Sequence, residues 1–423
     1  MKIKLVTAIV MLFVTSALMA QEFNLSAEIR PRFESRHGYK TLVINNTKGA
    51  NFISQRSRLN FGYTNKKVKV YVSLQNVRTW GEASTLSPND QAFSFHQAWA
   101  EGKLSDNVSV KLGRQEIIYD DHRIFGSVGW AQQARSHDAM LFKFNFEKKH
   151  RIDLGLALNA DNQGLTDQLY SNVAGYKAFQ YVWYHGKFDK FGLSFLGLNS
   201  GKEYLKDPAD PASDQKVDYM QTIGPRLTYK ADKLIANAAF YYQGGKMMDN
   251  KVNASYISAN VGYKMTSNIH LTVGFELLSG KDMDDTSTDL KSFAPLFGTN
   301  HKFNGWMDYF YVGNHFNSVG LQDINATMKY TKGKFTLKMM PHFFQSAAKV
   351  IDMSGNELSK SLGTEIDMAT TYKIQKDFVI SAGFSKMFAT DTMEALKGGE
   401  KDAANQWGWI MFTFKPVLVK TVK

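Results

Sequence analysis

Arginine is spread very unevenly along this 423-residue chain: all eleven lie at or before Arg226, and nine fall between Arg30 and Arg135. A guanidinium stays charged and grips a carboxylate through two parallel hydrogen bonds. A dense run of them is equipment for holding acids, not for making or breaking bonds. Arg30, Arg32, Arg56 and Arg58 stand in alternating contexts, so two neighbouring strands would turn all four to one face. Arg78, Arg114, Arg123 and Arg135 are expected near the upper ends of the third to sixth strands, and Arg226 follows much later. These eight together with Arg226 are predicted to line a pore, with an arginine ladder on one wall. Glu28, Glu34, Asp120, Asp121, Glu276, Asp323, Glu365 and Asp367 can partner them. At least half of the arginines are therefore expected to brace the wall, which is compatible with filtering.

Other chemistry is thin. His-Glu-x-x-His, a nucleophile elbow and a phosphate loop are all absent from the sequence. Asp120-Asp121-His122-Arg123 is an acid-base cluster without a nucleophile, so the chain is read as no enzyme, with no cofactor. The ten histidines lack ligand spacing. Asp282, Asp284 and Asp285, with Asp289, form a weak calcium candidate, but the glycine of an EF-hand loop is missing and a solvated loop is the favoured reading. No cysteine is present, which removes disulfides and thiolate metal sites. The net charge of +12 favours anionic partners such as lipopolysaccharide, acidic solutes or acidic polysaccharide.

The elements that must position the arginines follow from alternation. Phe23, Leu25, Ala27, Ile29, Pro31 and Phe33 point one way, and Asn24, Ser26, Glu28, Arg30, Arg32, Glu34 and Arg36 the other. The pattern returns at Val68-Val70-Val72-Leu74, Ile152-Leu154-Leu156-Leu158 and Phe378-Ile380-Ala382-Phe384. It predicts a transmembrane antiparallel β-barrel of about 18 strands, centred near residues 28, 58, 72, 99, 111, 141, 155, 181, 194, 224, 239, 259, 273, 326, 339, 367, 383 and 410. Residues 1–20, with Lys2 and Lys4 ahead of an apolar run, read as a secretory signal peptide, and residues 21–423 as a single barrel domain. Export takes nucleic acid off the list of partners.

Loop lengths give an independent test, because bacterial barrels pair short periplasmic turns with long external loops. Short links are expected at Asn65-Lys66, Ser105 to Asn107, Glu147 to His150, Lys187 to Lys190, Lys230 to Lys233, Lys264 to Asn268, Thr331 to Gly333 and Lys373 to Asp377. Longer ones run from Gly38 to Asn51, Ala160 to Gly175, Gly201 to Lys216, Ser279 to Gly320 and Thr390 to Asn405. Tyr63, Tyr229, Tyr263, Tyr330 and Tyr372 precede short turns, where an interfacial girdle belongs. The last strand ends on Ile410, Phe412 and Phe414 for the barrel-assembly machinery, with a nine-residue tail from Lys415 to Lys423 beyond it.

The chain resembles the alginate-export family of outer-membrane barrels. The likeness rests on Arg30-Pro31-Arg32-Phe33-Glu34, Gln55-Arg56-Ser57-Arg58-Leu59, Gln75-Asn76-Val77-Arg78-Thr79-Trp80-Gly81 and Leu112-Gly113-Arg114-Gln115-Glu116. It continues through Asp121-His122-Arg123, His137-Asp138, Phe297-Gly298-Thr299-Asn300-His301 and Gly305-Trp306-Met307-Asp308. The resemblance implies an 18-stranded monomeric barrel in the bacterial outer membrane, with an arginine-rich constriction that passes an anionic uronate polymer; Arg114 and Arg123 match its motifs best. No arginine follows Arg226, and Lys329 and Lys338 are expected to substitute in part, as point charges. The expected function is a porin-like, anion-selective channel for acidic oligo- or polysaccharide such as alginate. A surface binding or adhesion barrel with a loop-plugged lumen is the alternative.

Overall fold

The two-residue period is realised as strands along nearly the whole chain. The computed structural model describes residues 21–86, 93–166, 168–170, 175–210 and 213–421; the expected signal peptide lies outside the described residues. Eighteen strands form the wall: β1 (Glu22–His37), β2 (Ala50–Thr64), β3 (Val68–Thr79), β4 (Phe93–Lys103), β5 (Val108–Gln115), β6 (His137–Phe146), β7 (His150–Leu158), β8 (Ala178–Phe188), β9 (Phe191–Leu205), β10 (Gln215–Lys230), β11 (Leu234–Met247), β12 (Ala254–Lys264), β13 (Ile269–Leu278), β14 (Leu321–Lys332), β15 (Phe335–Gln345), β16 (Ser361–Lys373), β17 (Phe378–Ala389) and β18 (Gln406–Phe414). Each pairs antiparallel with the next, and β18 returns to β1 with Phe414 opposite Ile29 and Gln406 opposite His37. The sheet is closed and leaves no free edge along the wall. Every expected strand centre falls inside one of these strands.

Burial is inverted relative to a soluble protein. Ile29 and Phe33 on the outer face of β1 are 48% and 40% exposed, whereas Arg32 and Glu34 on the inner face are 4% and 0% exposed. The oily side chains meet lipid and the charged ones meet the barrel interior. The expected turns are present: Asn65 Oδ1, for example, accepts from the amides of Lys67 and Val68 at 2.8 and 2.7 Å, an Asx turn that reverses the chain in three residues. Both described ends of the chain lie at this short-turn end, where Glu22 pairs with Thr64.

The tail is part of the wall. Pro416 has no N–H to give, and β18 ends at Phe414, but Val417–Lys420 resumes pairing with β1 and sets Leu25 opposite Val419. The Ala27 amide donates to Pro416 O at 3.1 Å and the Thr421 amide to Phe23 O at 3.0 Å. The residues after the terminal aromatic thus finish the lower seam.

Two loops differ from a simple alternation of short and long links. The loop expected from Gly201 to Lys216 is shorter at both ends, since β9 runs to Leu205 and β10 starts at Gln215. The segment between β5 and β6, residues 116–136, is a long loop that turns inward and joins residues 279–320 inside the barrel. Phe125 bridges Phe297, the Gly126 amide donates to Phe297 O at 2.9 Å, and the Thr299 amide donates to His122 O at 2.9 Å. Around this junction Ile117, Tyr119, Ile124, Phe125, Phe179 and Met307 are buried together as an apolar core within the lumen.

Candidate functional site

The inner face of β1 and β2 carries five guanidiniums and three carboxylates, of which Glu22, at the lower end, is held by Lys420 at 3.1 Å. Arg56 donates to Glu28 at 2.5 and 3.0 Å, and Lys415 reaches the same carboxyl at 3.3 Å. Arg32 donates to Glu34 at 2.9 Å, and Arg36 to the other oxygen of Glu34 at 3.0 and 2.8 Å. Arg30 and Arg58 have no carboxylate in ion-pair range among the described residues. Arg30 instead donates to Gly129 O at 2.8 Å, Trp130 O at 3.0 Å and Gln132 Oε1 at 2.9 Å. Arg58 donates to Gln75 Oε1 at 2.7 Å, and its Nη2 is buried without a hydrogen-bond partner. The wall therefore holds more cations than anions, and carbonyl dipoles of the inward loop satisfy part of the surplus.

Above these rungs lies a vestibule of about 400 Å³ between the first wall and the loops. Arg32 lies 3.9 Å above the Trp130 ring, and Arg36 lies 4.1 Å from the Tyr39 ring centre and 4.8 Å from that of Phe52. Lys40 is exposed at its mouth. Tyr39 donates to Asp308, whose other oxygen lies 2.8 Å from His301 Nδ1. Burial, and then the Asp308 carboxylate, push the Tyr39 hydroxyl well above its ordinary value. It is a fixed donor. An aromatic face steadies a guanidinium without neutralising it.

The other arginines divide by role. Arg123 is buried, donates to Glu276 at 3.0 Å and Asn304 at 2.9 Å, and lies between the rings of Tyr256 and Phe303. Arg226 donates to Asp121 at 2.6 Å and Asn237 at 2.9 Å. Arg135 donates to Gly298 O at 3.0 Å. All three tie the inward loops to the wall or to each other. Arg78 and Arg114 are corrections. Arg78 pairs in register with Gln55 on the row that carries Leu74 and Trp80, and Arg114 shares a row with Leu112, which is 48% exposed. Strict alternation sends both to the outer face. There Arg114 donates to Asp138 at 2.7 Å.

Of the expected acid partners, Glu28, Glu34, Asp121 and Glu276 hold arginines. Asp120 instead accepts from Trp183 at 3.0 Å and Ser194 at 2.5 Å. Asp323, Glu365 and Asp367 face inward from β14 and β16, separated from the arginine wall by β17 and β18, and they hold a loop. Asn304 donates to Asp323 at 3.2 Å, the Trp306 amide to Asp367 at 3.1 Å and the Met307 amide to Glu365 at 2.8 Å. His342 contacts Asp323 at 2.9 Å. Gly305 permits the close approach: its φ is +82°, and a Cβ there would meet the Glu365 carboxyl oxygens at 2.6 and 2.8 Å. Sequence reasoning missed Trp130, Gln132, Asn304 and His342; only the aromatic and glycine content of the two loops hinted at inward packing.

Lys329 and Lys338 face the lumen as a cross-strand pair, and the Lys338 ammonium lies 4.9 Å from the Trp306 ring centre. The carboxylates of the weak calcium candidate are taken by neighbouring donors. Asp284 binds Lys349 at 2.9 Å, Asp285 binds Lys291 at 2.7 Å, and Asp282 accepts from the Lys349 amide at 2.7 Å.

Comparison with known proteins agrees with this architecture. The alginate-export family model matches residues 21–406. Among solved structures, OccAB1 of Acinetobacter baumannii superposes with a TM-score of 0.63 at 12% identity, over 94% of this chain and 97% of that one. OccAB4 of the same organism gives 0.62 at 10% identity over 96% and 100%. OccD3 (OpdP) of Pseudomonas aeruginosa gives 0.61 at 12% identity over 94% and 92%. A comparison with curated protein sequences finds no match.

Proposed function

This chain belongs to the alginate-export family of outer-membrane channel barrels, and we propose that the solutes it passes are anionic, with acidic oligo- or polysaccharide as the class it serves. The observation that carries the reading is the charge of the first wall, where Arg30, Arg32, Arg36, Arg56 and Arg58 outnumber Glu28 and Glu34. A low-dielectric wall focuses such a surplus into the water-filled space beside it and raises the local concentration of anions. Trp130 and Tyr39 add flat apolar surface next to the charges, which suits the CH faces of a sugar ring whose carboxylate meets Arg36 or Lys40. Lys329 and Lys338 extend the positive field to the later strands as point charges.

A second reading has its own support. Residues 116–136 cross the lumen, with Arg123 on β13, Asp121 facing Arg226 of β10 and the 129–131 carbonyls on Arg30, so the barrel could serve as a loop-plugged surface binder. One purified channel in a planar bilayer separates the two. The channel reading expects a steady current that trigalacturonate blocks at lower concentration than maltotriose. A silent bilayer supports the plugged binder, and equal block by the neutral trimer overturns the acid preference.

A further inference from the structure

The inner wall below the loops, on β3 to β7, carries two matched charge clusters. Lys143 donates to Glu101 at 2.7 Å, Ser109 supports the same carboxyl at 2.8 Å, and Arg151 donates to Asp153 at 2.5 and 2.7 Å. Among the described residues Lys111 is unmatched, as are Lys69 and Lys103 nearer the turn, but it alone of the three is seated on an aromatic ring. It stands opposite Glu101 in the register, yet it has no carboxylate in ion-pair range among the described residues, and its ammonium lies 3.9 Å from the centre of the Trp99 ring. The indole is itself fixed, because Trp99 Nε1 donates to Gln97 Oε1 at 3.0 Å. Tyr71 packs beside it with ring centres 5.7 Å apart and donates to Asn60 at 3.1 Å.

We propose that Lys111, seated on Trp99, is a carboxylate-binding station for uronate units on the periplasmic side of the loops. This rests on the acid-saccharide reading above and adds to it a site, a residue and a direction. Four observations converge on it. Lys111 lies four residues above the short Leu104–Asn107 turn, at the end of the barrel assigned to the periplasm. Its side chain and those of Trp99 and Tyr71 are only half-buried, so solvent reaches them. An aromatic face holds an ammonium in position without neutralising it, and an incoming carboxylate then completes the charge pair with no protein acid to displace. The next cation up the wall is Arg58, four residues from Gly62, which is paired with Tyr71, about 13 Å along the strand. Its half-buried guanidinium adds a positive charge along the same path. Trp99 is a positioning residue, Lys111 the binding one, and Tyr71 supplies adjoining ring surface.

The test is block of single-channel current by trigalacturonate added on the short-turn side. Lys111→Gln is expected to raise the half-blocking concentration about tenfold. Lys103→Gln removes an equal charge from the same wall without freeing a carboxylate or touching the station, and is expected to stay within about twofold of the wild type. Trp99→Ala should weaken block and Trp99→Phe should restore it, which a general folding defect would not do. The proposal is overturned if Lys111→Gln blocks as the wild type does, or if Lys103→Gln is equally impaired, since the effect is then diffuse charge. A wild-type channel that trigalacturonate leaves unblocked from both sides overturns the acid-saccharide reading itself, and the station falls with it.

Discussion

A buried guanidinium and an exposed one of the same family motif are not equivalent. Arg123 and Glu276 are both almost fully out of solvent, so removing either strands a charge, at a cost of about 3–5 kcal/mol. Arg114 and Asp138 are 44% and 61% exposed at the side chain, where solvent screens the pair, and its loss costs about 0–1 kcal/mol. Arg123→Met should therefore lower the temperature at which the folded barrel loses its compact electrophoretic mobility, while Arg114→Gln leaves that temperature nearly unchanged. Equal shifts in the two variants would contradict the assignment. The inward placement of Arg30, Arg32, Arg56 and Arg58 was legible, because each lies well inside a strand whose alternation is uninterrupted. Arg78 and Arg114 were misread for want of the same rule: Leu74, Asn76 and Arg78 share parity, as do Leu112 and Arg114, and following it to the strand ends turns both outward. The partners of Arg30 were beyond any local pattern, since Gln132 lies 102 residues away.

The inward loop around Asn304 to Met307 is held by carboxylates that accept its backbone amides, and this makes two consequences measurable. Gly305→Ala places a Cβ against Glu365 in a backbone region that costs an L-residue about 1–3 kcal/mol. It should loosen the loop, seen as faster tryptic cleavage after Lys302 and a larger mean open current; an unchanged cleavage rate would contradict the anchoring. Further along, His315 Nε2 contacts Gly320 O at 3.0 Å and Nδ1 contacts the Lys397 ammonium at 3.3 Å. Burial, and then the Lys397 charge, push His315 down to about 3 from 6.5. The seated loop thus binds fewer protons than the released one between those values, so its seating is complete above about pH 6.5 and weakens as pH falls toward 3. Hydrogen exchange over residues 300–320, corrected for intrinsic rate, should speed up at pH 5 relative to pH 7.5, and His315→Gln should flatten the difference. No pH dependence in the wild type would contradict it. The strands themselves were readable because a two-residue period repeats locally and needs no distant information. The inward course of residues 116–136 was not, since what draws that loop in is an apolar core assembled from Phe179, Met307 and other residues far along the chain.

At the scale of the whole molecule, closure and sidedness come from the same alternation of short turns and long loops. Single cysteines at Lys66 and Lys373, on the short-turn side, should resist an impermeant thiol reagent in intact cells, while one at Ser287 should react; labelling of all three would reverse or dissolve the topology. The tail was legible only as an overhang. Its pairing from Val417 to Lys420 with β1 depends on Pro416 interrupting the last strand and on the spare lower half of β1, two facts that lie at opposite ends of the chain. The larger claim is that the surplus of guanidiniums on β1 and β2, opening into the vestibule at Arg36 and Lys40, sets which ions pass. Reversal potential under a tenfold potassium chloride gradient reads that claim most directly. The wild-type channel should reverse toward the chloride equilibrium potential, and Arg36→Glu combined with Lys40→Glu should carry the reversal to zero or toward potassium. A cation-selective wild type, or a double variant with the wild-type reversal potential, would contradict the account.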